Sequence, residues 1–213
     1  MNVVVPPDTT APVVHAVTAT PSTIWPPNDA LVPVTVAVAA TDDVDDAPVC
    51  KLSGVTSTAG SAGDYSITGA LSARVRATGG RMYTLRATCF DAAGNHSDGS
   101  VDVVVPADTT APVIVSLSAS PAFVWPPNQK MVDVEISVNA ADDVDVTPRC
   151  ALASISGGDA VITGASTARV RSDNGAVYSL NVNCSDRAGN MSHGVATVTI
   201  GKDPAAKPIN GKR

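Results

Sequence analysis

The sequence predicts an all-β chain built from two tandem sandwich modules, and three observations carry that reading. Residues 8–50 align without a gap on residues 108–150, with 22 of the 43 pairs identical, among them DTTAPV, WPPN, DDVD and the closing Cys. Apolar residues make up 44% of the 213 but aromatics only 3%, so the core must come mainly from Val, Ile, Leu and Ala, a palette that favours strands. Several stretches alternate apolar and polar residues with a period of two, and no stretch offers a convincing helical period.

The elements follow in order. Asn2-Val3-Val4-Val5-Pro6 matches Asp102-Val103-Val104-Val105-Pro106, so residues 1–7 read as the tail of a preceding module or a linker, with Met1 a start supplied by cloning. Strands are predicted at 12–20, 47–54, 65–69, 72–78 and 100–105, with equivalents in the second copy, separated by Gly, Pro, Asn and Asp turns. The clearest period is at Val132, Val134, Ile136, Val138 and Ala140, which alternate with Asp133, Glu135, Ser137 and Asn139. Tyr83, Leu85, Ala87 and Cys89 share one face, as do Tyr178, Leu180, Val182 and Cys184, which aims each second cysteine at the core. Seven strands in about 100 residues is the count of an immunoglobulin-like sandwich. The expectation is two such domains of about seven strands each, at 8–106 and 107–201, followed by a polar tail or linker at 202–213.

DTTAPV opening a strand and D-x-A-G-N turning into the last strand (Asp91 to Asn95, Asp186 to Asn190) resemble bacterial immunoglobulin-like and hyalin-repeat modules of secreted and surface proteins. The chain departs from the antibody pattern, with no Trp after the first Cys and no Tyr two residues before the second, and its cysteines sit elsewhere than in hyalin repeats. The resemblance implies an extracellular, non-catalytic structural or adhesive spacer of a multidomain protein. The alternative is an accessory module that binds a glycan or protein for a secreted enzyme.

Composition narrows the partners. A net charge of −6 with no basic stretch longer than the last few residues argues against nucleic acid as a partner. No run approaches the ~18 apolar residues of a membrane span, and no signal peptide is visible. The remaining partners are neighbouring domains of the same chain and a surface glycan or protein. The histidines are not shared between copies: His15 faces Val115 in the alignment, His96 faces Met191 and His193 faces Asp98. A nucleophile, base and orienter set therefore cannot be assembled from positions common to both modules.

Four groups of residues carry the chemistry. One Cys pair per module, in a chain read as extracellular, implies Cys50 bonded to Cys89 and Cys150 to Cys184; buried thiols are the alternative. Of the 20 acids 19 are Asp, and one pole of each sandwich should collect Asp8, Asp42, Asp43, Asp45, Asp46, Asp91 and Asn95, or Asp108, Asp142, Asp143, Asp145, Asp186 and Asn190. Crowded carboxylates and an Asn offer the oxygens Ca²⁺ takes, and cadherin-like modules stiffen their junctions this way; the other reading is solvated turns. Trp25 and Trp125, each followed by Pro-Pro-Asn, are expected to plug the open end of the sandwich, the alternative being an exposed platform for a sugar ring. Arg74, Arg76, Arg169 and Arg171 read as a solvated edge strand or, alternatively, as an anion reader.

Overall fold

The structure, a computed structural model, describes residues 6–60 and 63–202. The readings of Asn2–Val5 and of 203–213 fall outside the described residues. The chain divides into two compact units between Asp108 and Thr109, and each is an immunoglobulin-like β-sandwich.

The first unit runs β1 (Val13–Thr20), β2 (Leu31–Thr41), β3 (Val49–Ser57), β4 (Tyr65–Gly69), β5 (Ser72–Arg76), β6 (Arg81–Phe90) and β7 (His96–Val105). All neighbouring strands pair antiparallel, in the orders β1-β2-β5-β4 and β3-β6-β7. Relettered A to G, these are sheets ABED and CFG, the arrangement of a constant-type immunoglobulin domain. The second unit repeats it with β8 (Val113–Ser120), β9 (Phe123–Val124), β10 (Met131–Ala141), β11 (Arg149–Ser156), β12 (Ala160–Ile162), β13 (Thr167–Arg171), β14 (Val177–Ser185) and β15 (Met191–Ile200). Its sheets are β12-β13-β10-β8 and β11-β14-β15-β9.

Alternate residues of each strand face inward. In the first unit Val34 and Val36 of β2, Ala73 and Val75 of β5, Leu85 and Ala87 of β6, and Val103 and Val105 of β7 are buried. Leu52 and Val55 both face the core although three positions apart, because a bulge between Leu52 and Gly54 resets the alternation of β3. The largest buried side chains are nevertheless aromatic: Tyr83 and Tyr178 are each 0% exposed. Each hydroxyl donates to a backbone carbonyl seven residues upstream, Tyr83 to Arg76 and Tyr178 to Arg171, at 2.8 Å. Burial, aided by the charge of Asp173, raises the Tyr178 pKa above the ordinary tyrosine value.

Glycine closes one corner. A Cβ at Gly99 would lie 2.6 Å from Val17 Cγ2 and 2.9 Å from Val14 Cγ1, so only glycine lets β7 approach β1 of the opposite sheet this closely. Gly194 stands in the same way against Leu117 and Ile114.

Several expectations change. The last strand begins at His96 directly after the D-x-A-G-N turn rather than at 100, since nothing between them breaks the ladder. β3 spans Val49–Ser57 rather than 47–54, and β5 stops at Arg76 rather than 78. The arginine strand is not an edge: β5 lies between β2 and β4, and β13 between β10 and β12. Nor are these arginines a free cationic face. Arg76 Nε lies 2.9 Å from Asp64 Oδ1, Arg171 pairs with Asp159, and Arg169 Nε lies 2.9 Å from Asp133 Oδ1. No ion pair holds Arg74, which is exposed, among the described residues. Asp64, 8% exposed, also takes Arg81 Nη1 at 2.7 Å, and that hydrogen bond raises the guanidinium pKa.

Tryptophan does not plug the sandwich. Trp25 is 47% and Trp125 55% exposed, while the preceding Ile24 and Val124 are 4% and 9% exposed. The reason is register. After β1 the chain crosses to the other sheet and bonds parallel to the last strand, Ile24 N–H donating to Val104 O at 2.9 Å and Gly201 N–H to Val124 O at 3.0 Å. That pairing turns residue 24 or 124 inward and its neighbour outward. The Pro-Pro-Asn that follows forms a side-chain-capped turn, with Asn28 Oδ1 accepting from Ala30 N–H and Asn128 Oδ1 from Lys130 N–H, each at 3.1 Å.

Candidate functional site

In the first unit, Cys50 sits opposite Cys89 in the β3–β6 ladder and is bonded to it, with Cα atoms 3.9 Å apart. Cys150 and Cys184 do the same between β11 and β14, at 4.0 Å. Each bridge therefore staples two neighbours within one sheet. Cys89 and Cys184 are 0% exposed, and their partners are half-buried.

The acidic pole is built from three segments: the entry to β1, the turn after β2 and the turn between β6 and β7. Asp42 Oδ1 accepts from the N–H groups of Val44 (3.0 Å) and Asp45 (2.9 Å), folding the DDVD turn around one carboxylate. Asp45 then ties that turn onward, Oδ1 accepting from Ala47 N–H and Oδ2 from Ala92 N–H at 2.9 Å. Asp91 organises the D-x-A-G-N turn: Oδ1 accepts from Asn95 N–H at 2.8 Å and Oδ2 from the Asn95 amide at 2.7 Å, with Gly94 at φ 96°. The same amide reaches Asp8 O at 3.3 Å. Burial pushes the Asp91 carboxyl upward, but the hydrogen bonds from Asn95, Gly94 and Ala93 outweigh it and hold its pKa below the ordinary aspartate value.

These turns bring Asp8, Asp42 and Asp91 together, with one carboxylate oxygen from each within 4.8 Å of the others. Asp42 Oδ2 is buried and accepts no hydrogen bond. Asp43 and Asp46 are exposed and stand outside the group, and Asp45 is used in the turn. The second unit repeats the turn, Asp186 accepting from Gly189 N–H, Asn190 N–H and the Asn190 amide. The second group of gathered carboxylates is Asp108, Asp145 and Asp186, while Asp142 folds its own turn with Oδ2 buried and unbonded, and Asp143 is exposed.

Ca²⁺ binds oxygens at about 2.3–2.6 Å, so two ligands of one ion lie at most about 5 Å apart. The spacing of each trio meets that limit, and a buried, unbonded carboxylate oxygen is the kind of atom an ion would satisfy. The turn itself closes without one, since both oxygens of Asp91 already have donors.

The sequence gives no warning of a cavity of about 380 Å³ in the second unit, lined by Asp145, Thr147, Arg149, Ser185, Asp186 and Arg187. Aligning the copies is the signal that finds it, because the first unit has Ala47, Val49, Phe90 and Ala92 where Thr147, Arg149, Ser185 and Arg187 stand.

No protein-family model matches the chain, and no curated protein matches it by sequence. Among solved structures it is similar to the human Desmocollin-1 ectodomain at 14% identity and a TM-score of 0.33, over 96% of this chain and 39% of that one. The chain thus spans about two-fifths of the length of that ectodomain. The fold assignment rests on the strand order, not on this likeness.

Proposed function

We propose that this chain is a non-catalytic structural or adhesive spacer of a secreted or cell-surface multidomain protein, of the bacterial immunoglobulin-like or hyalin-repeat kind. The observation that carries the reading is what the two copies share. Disulfide, D-x-A-G-N turn, buried tyrosine with its bonded hydroxyl, and corner glycine all recur, and all of them shape the sandwich. Among the described residues, the recurrent ionisable groups outside these are the ion pairs of Arg76 with Asp64 and Arg171 with Asp159, which tie strands together, and the acidic pole. Two disulfides in a chain with no free cysteine fit an oxidising compartment outside the cytosol.

Ca²⁺ is the cofactor of this reading. Asp8, Asp42 and Asp91 would hold one ion, and Asp108, Asp145 and Asp186 another. The ion would neutralise crowded carboxylates and stabilise each fold by mass action, and millimolar affinity suffices outside cells. The test is calorimetric melting of the full chain in millimolar Ca²⁺ and in chelator, with Asp91→Ala and Asp186→Ala as controls. Calcium should raise the melting temperature of the wild type and each control should lose its module's share. Identical melting in calcium and chelator would remove the ion from the account.

A further inference from the structure

We propose that the second unit carries a binding site for a carboxylated saccharide, in the cavity between the turn after β10 and the end of β14. The first observation is chemical. All six side chains lining the cavity are polar or charged, and two are guanidinium groups, Arg149 and Arg187. Both are exposed and neither makes an ion pair among the described residues, whereas Arg169 and Arg171 of the same unit are each paired with an aspartate. Two guanidinium groups without a direct carboxylate partner, on a cavity whose two aspartates balance them in charge, can donate paired hydrogen bonds to the anionic end of a guest.

The second observation comes from the duplication. The same scaffold positions in the first unit hold Val49, Phe90 and Ala92, with Phe90 packed against His96 and under the Lys51 ammonium. Replacing the ring by Ser185 removes its bulk, and the two arginines arrive at the same place. The shared framework does not need them, since the first unit folds the same ladder with Val and Ala.

The aspartates decide the class of anion. Asp145 accepts from Arg187 N–H through Oδ2, leaving Oδ1 to accept from a ligand. A bare phosphate or sulfate would meet repulsion from Asp145 and Asp186. A sugar acid offsets it: its carboxylate faces the guanidinium groups while ring hydroxyls, which sulfate lacks, donate to Asp145 and exchange hydrogen bonds with Thr147 and Ser185. About 380 Å³ lies within the ~300–1,000 Å³ range of ligand pockets.

The experiment titrates the full chain by calorimetry with an oligogalacturonide, with sialyllactose, with a neutral oligogalactoside and with sodium sulfate. The double variant R149V/R187A, which installs the residues of the first unit, is titrated alongside, and all arms are run in calcium and in chelator. One or both acidic sugars should bind, and which one does identifies the source of the carboxylate. The double variant should weaken that binding by about tenfold or more at an unchanged melting temperature. Binding should persist in chelator, so failure of the calcium reading leaves this one standing. No preference for acidic sugars over the neutral sugar and sulfate, or equal binding by R149V/R187A, overturns the proposal. Binding seen only in calcium and untouched by the double variant places the sugar on the ion and overturns it as well.

Discussion

Replacing Cys50 and Cys89 together by alanine removes one disulfide and leaves the other as an internal control. The bridge closes a loop of 39 residues. In the chain-entropy account, releasing a loop of that size returns about 4 kcal/mol of freedom to the unfolded state. The folded ladder should survive, because Val49 still pairs with Phe90 and Leu52 with Ala87 on either side. One kcal/mol shifts the melting point of a module of about 100 residues by about 4–8 °C, so the first unit should melt roughly 15–30 °C lower. Differential scanning calorimetry of the full chain should show one transition moving and the other, from the unit closed by Cys150–Cys184, staying within a few degrees. The reasoning fails if both transitions stay put or if both move together.

Tyr83→Phe should cost about 1 kcal/mol in urea unfolding, the net worth of one hydrogen bond, because Thr78 N–H still bonds the Arg76 carbonyl that the hydroxyl leaves. Trp25→Ala should cost about 1–2 kcal/mol, well short of the ~3–5 of a fully buried aromatic, while Ile24→Ala should cost about 2–4 by the same measurement. The Asp91 carboxyl has a folded pKa below its unfolded value, so its contribution is complete above the ordinary aspartate range and is lost as pH falls through the folded value. Melting temperature followed from neutral pH into acid, in chelator, should therefore fall more steeply for the wild type than for Asp91→Asn. Equal slopes would show that the turn draws nothing from that charge.

The fold was legible because the features that specify it are local and repeated. Alternation marked the long central strands, and the copied Cys positions marked the two disulfides, whose placement within one sheet the ladder then set. What escaped was set by long-range pairing. Nothing in Thr23-Ile24-Trp25 says which residue faces inward; the parallel bridge to Val104 decides it, and decides against the tryptophan. Strand order likewise put Arg76 inside a sheet, beside an Asp64 whose burial no local pattern announces. The acidic pole was legible as a set of segments, because strand ends in this topology converge. Its membership was not, since each turn uses some carboxylates to fold itself, as with Asp45, and turns others outward, as with Asp43.

The measurement that bears most directly on a pair of disulfide-closed spacer modules is pulling the chain end to end, with and without reductant. Each unit should open in its own event. Oxidised, each bridge withholds the residues it encloses: 39 at ~3.3–3.6 Å each, about 130–140 Å, in the first unit, and 34, about 110–120 Å, in the second. Reductant should lengthen the two events by those unequal amounts. A single event, or extension lengths that reductant leaves unchanged, would contradict the account.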